Sequence, residues 1–211
     1  MRPIRKELSP KVLAMRGVPK HLHSASYKDL DSFGSEARQT IIDYIVDYIK
    51  TIPTQFDNNN GLFIFGSNGT GKSFIASLIV KYAYIFRYTS KRCTLMDYIN
   101  EYTRMWGCKN AEERESLEEL FYRNFKAVEF LCIEEIGKEI DTKVSINILE
   151  DLLRYREENG LVTIICTNLE PKIIAEKYGN SINSLLKGNC TPIKLVGSDN
   201  RLNTFKRRVE E

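Results

Sequence analysis

The chain has 211 residues, 42% of them apolar and 28% charged, with a formal net charge of +3 at pH 7. That is apolar material for one full domain with a sizeable core, under a solvated surface whose charge balance does not by itself demand a nucleic-acid partner. It holds no apolar run of about 18 residues and opens on no signal-peptide pattern, so no membrane association is expected and a soluble, cytoplasmic protein is.

Residues 1–17 carry Arg2, Arg5, Lys6, Lys11 and Arg16 against the single acid Glu7 and read as a basic arm, disordered or part-helical. From Ser35, a predicted N-cap, to Lys50, the positions Ile41, Ile42, Ile45, Tyr48 and Ile49 recur at helical spacing. The run Asp57-Asn58-Asn59-Asn60-Gly61 is a turn. Thereafter strand and helix alternate. A strand is predicted at 62–65, a helix at 72–86, a second strand at 93–96, helices at 97–106 and 111–126, and a strand at 128–133. A helix at 142–158 presents Val144, Ile148, Leu149, Leu152 and Leu153 on one side and stops at Asn159-Gly160. A strand at 161–166, a short helix at 171–178 and a last strand at 193–196 follow. Apolar strands separated by helices imply an α/β fold, a five-stranded parallel sheet with helices on both faces. The cysteines Cys93, Cys108, Cys132, Cys166 and Cys190 are odd in number, widely spaced and form no CxxC pair, which favours buried free thiols over disulfides or zinc. His21 and His23 are the only histidines, too few for a histidine metal cluster.

Gly66-Ser67-Asn68-Gly69-Thr70-Gly71-Lys72-Ser73 matches G-x-x-x-x-G-K-[ST] at every fixed position. Glycines let such a loop turn its N–H groups toward phosphate oxygens, and the following helix N-terminus favours the same anions. Lys72 is assigned to the β- and γ-phosphates and Ser73 to Mg²⁺; the nucleotide-binding set is Gly66 to Ser73 with Phe74, and the cofactors are ATP or ADP with Mg²⁺. The run 128–135 fits a Walker B strand ending in two acids. Glu134 would hold Mg²⁺ through water, in a position where Asp is usual, and Glu135 would orient and deprotonate the attacking water. The alternative is a strand that ends in a solvated acidic turn. Asn168, at the tip of the next strand, would contact the γ-phosphate or the water, or else simply opens a turn before Pro171.

Together these stretches resemble the AAA+ ATPases of the DnaC/DnaI helicase-loader and IstB group. The likeness is carried by Arg16-Gly17-Val18-Pro19-Lys20 with Ser24-Ala25-Ser26-Tyr27, by the Walker A run, and by Ile133-Glu134-Glu135-Ile136-Gly137. Thr167-Asn168-Leu169 resembles the group's sensor 1. Lys177-Tyr178-Gly179 and Gly197-Ser198-Asp199-Asn200-Arg201 resemble its lid and its sensor 2 arginine. The resemblance implies a basic arm at 1–17 and an AAA+ domain at 18–211, with a small C-terminal lid over about 171–211. It implies catalytic roles for Glu135, Lys72, Asn168 and Arg201. Two departures matter. At most 15–17 residues precede the AAA+ core, too few for the separate helicase-gripping domain that loaders carry. Leu185 stands where the group places an arginine finger, which accelerates hydrolysis by about 10³–10⁵.

The implied function is an ATP-dependent helicase-loader-like protein of DNA replication, a phage or mobile element being one setting for it, that engages a replicative helicase, single-stranded DNA or both. The alternatives are an IstB-like ATPase of transposition and a poorly hydrolysing ATP-switched adaptor or inhibitor of a replication protein. Without a finger, the chain is expected to be a weak ATPase alone, monomeric or oligomeric only with a partner. Arg2 to Arg16 and Lys206-Arg207-Arg208 are candidate phosphate contacts, and Tyr102 with Trp106 candidate base-stacking residues; the alternatives are a solvated tail and a helix packing face.

Overall fold

The computed structural model of the protein describes residues 4–5, 8–33, 36–138 and 143–197. Arg2, Lys6, Glu7, Ser35, Arg201 and Lys206-Arg207-Arg208 therefore lie outside the described residues. In chain order, α1 (Pro10–Met15), α2 (Glu36–Lys50) and α3 (Ile52–Asp57) precede β1 (Gly61–Phe65), and α4 (Lys72–Ile85) leads to β2 (Ser90–Thr94). Next come α5 (Leu95–Arg104), α6 (Ala111–Phe121), β3 (Phe130–Ile136), α7 (Lys143–Glu158), β4 (Val162–Thr167), α8 (Pro171–Asn189) and β5 (Cys190–Lys194).

The strands form one sheet of order β2-β3-β4-β1-β5, and every pairing is parallel. Side chains alternate across a strand, so each apolar strand feeds two cores. Leu62, Ile64, Phe130, Cys132 and Ile164 pack on one face with Ile42, Ile45 and Ile49 of α2 and Ile75, Leu78 and Ile79 of α4. Phe63, Phe65, Leu131, Ile133 and Ile165 face the other way, against Leu95 and Tyr98 of α5, Leu149 and Leu152 of α7, and Ile182 and Leu185 of α8. The predicted architecture is the observed one.

Several elements differ from the sequence reading: α3 was not expected, the strand expected at 128–133 spans Phe130–Ile136, and the last strand, expected at 193–196, spans Cys190–Lys194. The strand expected at 93–96 spans Ser90–Thr94, and Leu95 and Met96 start α5 instead. A capping box decides this: Thr94 Oγ1 accepts from the Asp97 N–H at 3.0 Å, and the Asp97 carboxylate accepts from the Thr94 N–H at 3.1 Å. The helix expected to end at 178 continues to Asn189, because Gly179 (φ 87°, ψ 170°) kinks α8 without stopping it. The start of the expected lid is also part of the main layers: α8 packs on α7, and β5 pairs with β1 in register from Gly61↔Cys190 to Phe65↔Lys194. Leu185 is accordingly buried in the core beneath the sheet rather than inside a lid.

The described part of the basic arm is part-helical and docked. Leu13 of α1 is buried in the α2/α4 core, and the Arg5 and Arg16 guanidinium groups lie 4.2 and 5.2 Å from the Tyr84 ring centroid. The Arg92 N–H donates to Arg16 O at 2.8 Å, adding the 16–18 segment to the outer edge of β2. Gly17 makes this possible. Its φ is +81°, and a Cβ there would sit 2.0 Å from Arg92 O, so any side chain would push the segment away.

Candidate functional site

The loop between β1 and α4 is shaped by its own residue types. Gly66 has φ +148°, and a Cβ would meet Leu195 O at 2.1 Å, so only glycine lets β1 turn sharply under the chain leaving β5. Thr70 Oγ1 donates to Ser67 O at 2.9 Å, and Arg38 of α2 donates to Thr70 O at 2.8 Å, holding the loop from within and from behind. Lys72 Nζ curls over the loop and donates to Gly66 O and Ser67 O, each at 2.7 Å. The first turn of α4 begins at Lys72, so its unsatisfied N–H groups and positive dipole end open onto the same loop.

The tips of β3 and β4 stand opposite. Glu134 is 5% exposed. Its Oε2 accepts from Ser73 Oγ at 3.2 Å and from Arg92 Nη2 at 2.5 Å, while its Oε1 is buried with no hydrogen-bond partner. The β3–β4 register shifts between Glu134 and Ile136, and Glu135 at that bulge has φ +59°, an outlier for a non-glycine residue. The bulge turns Glu135 outward, where its Oε1 is 2.7 Å from Lys138 Nζ. Asn168 Nδ2 donates to Asn68 Oδ1 at 2.8 Å, linking the β4 tip to the loop, and Thr167 Oγ1 donates to Ile136 O at 2.7 Å, linking the two tips.

Between these elements lies a cleft of about 770 Å³, lined by Lys72, Ser73, Phe74, Glu134, Glu135 and Asn168 and closed on another side by Pro19, His21 and Leu22. The structure thus brings together the predicted residues of the loop, β3 and β4. The cleft is of a size for a small-molecule cofactor. The residues fit a hard cation: an orphaned buried carboxylate oxygen beside a serine hydroxyl is a donor set that Mg²⁺ would complete. Cys132 and Cys166 lie beneath it with Glu134, their ligand atoms all within 4.8 Å of one another. Burial, followed by a hydrogen bond with Cys166, pushes the Cys132 thiol well above its ordinary pKa, and burial pushes Cys93 and Cys190 up to about 12. Cys93, Cys132 and Cys166 are free and buried, as their apolar setting in the sequence implies, and Cys190 at the start of β5 is free and buried too.

Sequence reasoning missed four contributors. Arg38 lies in a helix pattern and Arg92 in the polar run Ser90-Lys91-Arg92-Cys93, and nothing in either stretch marks a loop support or a carboxylate partner. His21 and Leu22 fall between the two stretches, 16–20 and 24–27, that carry the resemblance, and neither was singled out as a site residue. Of the candidate base-stacking pair, Tyr102 packs edge-on to Phe121 at 5.6 Å, whereas Trp106 is exposed.

A five-stranded parallel sheet in this order, with a Walker A loop after β1, paired acids on β3 and an asparagine at the tip of β4, defines a P-loop NTPase fold of the AAA+ type. Within that class the fold is DnaC/DnaI-like. No family model matches the chain. It is 24% identical over 155 residues to the replicative helicase loader DnaI of Bacillus subtilis (strain 168), an alignment spanning 73% of this chain and 47% of that protein, about half its length. The solved structure of the DnaC helicase loader superposes with a TM-score of 0.67 and 17% identity, covering 84% of this chain and all of that one (100%). The replication initiator DnaA bound to AMPPCP and single-stranded DNA superposes with a TM-score of 0.64 and 14% identity, over 86% of this chain and 54% of that one.

Proposed function

We propose that this chain is an ATP- and Mg²⁺-binding AAA+ protein of replication initiation that engages a replicative helicase, single-stranded DNA or both, and hydrolyses ATP slowly on its own. The observation that carries the reading is the convergence of Lys72, Ser73, Glu134, Glu135 and Asn168 on one cleft beside the N-terminus of α4. Similarity in sequence to a helicase loader, and in fold to an initiator bound to AMPPCP and single-stranded DNA, supports replication initiation as the process.

Each residue has a task that its position supports. Lys72 leaves the loop carbonyls for the β- and γ-phosphate oxygens, exchanging neutral acceptors for charged ones, a stronger bond. Ser73 and Glu134 hold Mg²⁺, which supplies charge neutralisation at the phosphates. Glu135, outward on its bulge, orients the water and takes its proton once it lets go of Lys138. Asn168, already tied to the loop through Asn68, fixes the γ-phosphate side.

A second reading, an ATP-switched adaptor with little hydrolysis, is favoured by one observation. The position where the resemblance expects an arginine finger is Leu185, and it is 7% exposed, packed in the core. Steady-state hydrolysis over a wide range of protein concentration, with and without single-stranded DNA and a replicative helicase, tests both. A low rate per molecule that stays flat with concentration and rises with a partner supports the loader reading. A rate that no partner raises favours the adaptor. A rate that climbs steeply with the protein's own concentration contradicts the absence of a self-supplied finger.

A further inference from the structure

Arg92 belongs to no part of the site read from the sequence, yet its side chain is bonded to the Walker B carboxylate. In the β2–β3 register it pairs with Cys132, while Thr94 pairs with Glu134. Side chains two residues apart share a face, so Arg92 lies on the loop side of the sheet, one strand out from the Walker B acid. Its Nη2 meets Glu134 Oε2 at 2.5 Å, the same oxygen that accepts from Ser73. Its Nη1 donates to Gly17 O at 2.8 Å, and its backbone N–H donates to Arg16 O at 2.8 Å. The Arg92 side chain is 18% exposed and lines the cleft, and its Nε is buried without a partner. A guanidinium therefore sits on the carboxylate expected to hold Mg²⁺, and the same guanidinium is bonded to the segment whose next residues, Pro19, His21 and Leu22, wall the cleft.

We propose that Arg92 holds the cation's place on Glu134 while the site is free of nucleotide and yields it when Mg²⁺-nucleotide binds, so that it sets the Mg²⁺ threshold of the site and ties site occupancy to the 16–22 segment. This rests on the nucleotide reading above. Mg²⁺ on Oε1 and the guanidinium on Oε2 would draw on one carboxylate charge and repel each other at close range, so the Arg92–Glu134 pair weakens and gives way as Mg²⁺ takes hold. A guanidinium keeps its proton in proteins, so the competitor is always cationic. Since Arg92 also grips Gly17 O, its departure from Glu134 loosens or shifts the strip that Gly17 keeps flush with β2. Arg92 is thus a positioning residue, acting through Glu134 and through the 16–22 segment.

The test is a Mg²⁺ titration of a fluorescent ADP analogue on the parent, Arg92→Gln and Arg92→Lys, paired with trypsin cleavage at Arg16 and Lys20. Arg92→Gln is expected to lower the Mg²⁺ concentration for half-maximal binding about five- to tenfold. It should also make the nucleotide-free protein as cleavable as the Mg²⁺-ADP-bound parent. Arg92→Lys keeps the charge and should stay near the parent midpoint. An Arg92→Gln midpoint equal to or above the parent's overturns the proposal, as does parent cleavage that ignores Mg²⁺-ADP. If Arg92→Gln does not fold, the same titration on Arg92→Met with Glu134→Gln decides: a Mg²⁺ midpoint insensitive to residue 92 once Glu134 is neutral supports the coupling, and an undiminished effect overturns it. A parent that binds no nucleotide at saturating Mg²⁺ refutes the site reading itself, a different failure.

Discussion

Arg156 is 0% exposed and has no carboxylate partner among the described residues, and replacing it by methionine should cost a large share of the fold's stability. Its Nε donates to Thr163 Oγ1 at 2.9 Å, its Nη1 to Lys126 O at 3.1 Å and Val128 O at 2.9 Å, and its Nη2 to Val162 O at 2.6 Å and Glu129 O at 3.5 Å. It thereby clamps the starts of β3 and β4, the strands whose far tips carry Glu134, Glu135 and Asn168. Burial pushes its pKa down to about 9, the mark of a charge held by neutral oxygens alone. Methionine fills much of the stem's volume but orphans acceptors in a dry interior. Each orphan costs about 1–3 kcal/mol, and relief of the guanidinium's own desolvation offsets part of that, leaving a net loss of about 3–5 kcal/mol. With a urea m-value of about 2–3 kcal/mol/M for a domain of this size, the midpoint should fall by roughly 1.5 M. Circular dichroism during urea unfolding measures it. Arg154→Met is the control, because its guanidinium pairs with Glu150 on the exposed face of α7 and its loss should barely move the midpoint. A fall for Arg156→Met no larger than the control's would refute the clamp.

Leu185→Arg should not restore a finger. It forces a cation into the α7/α8 core, so a loss of several kcal/mol in stability is expected, on the order of a buried unpaired charge, with no gain in turnover; a folded variant with self-stimulated hydrolysis would contradict this. Gly17→Ala should lift the 16–18 strip from β2, because its Cβ would meet Arg92 O at 2.0 Å, and so speed trypsin cleavage at Arg16 and Lys20 in the nucleotide-free protein; unchanged cleavage would show that Gly17 does not hold the strip. Glu135→Gln should bind ATP and Mg²⁺ as the parent does while single-turnover hydrolysis falls by about 10²-fold or more; parental turnover would remove Glu135 as the base.

The layers and the loop were legible because local chemistry fixes them. The runs from Leu62 to Phe65 and from Phe130 to Ile133 are apolar on both faces, which only a covered parallel strand requires, and Gly66 to Ser73 is a contiguous motif. The second strand was misplaced by a few residues because Cys93 to Met96 is apolar enough for either state, and the Thr94–Asp97 capping box settles it for a helix start. Gly179 reads as a stop in sequence, but packing of Ile182, Leu185 and Leu186 carries α8 past it. Arg92 and Arg38 were invisible because their partners, Glu134 and Thr70, are 42 and 32 residues away, and no periodicity encodes such a pairing.

We propose that the cleft between the Walker A loop and the tips of β3 and β4 binds a Mg²⁺-nucleotide. Titration of a fluorescent ADP analogue into the parent and Lys72→Ala, with Mg²⁺ and with EDTA, tests it most directly. Saturable, Mg²⁺-enhanced binding by the parent is expected, with a loss of about a hundredfold or more in affinity in Lys72→Ala at an unchanged melting temperature of the free protein. Equal affinity in the two proteins would contradict it.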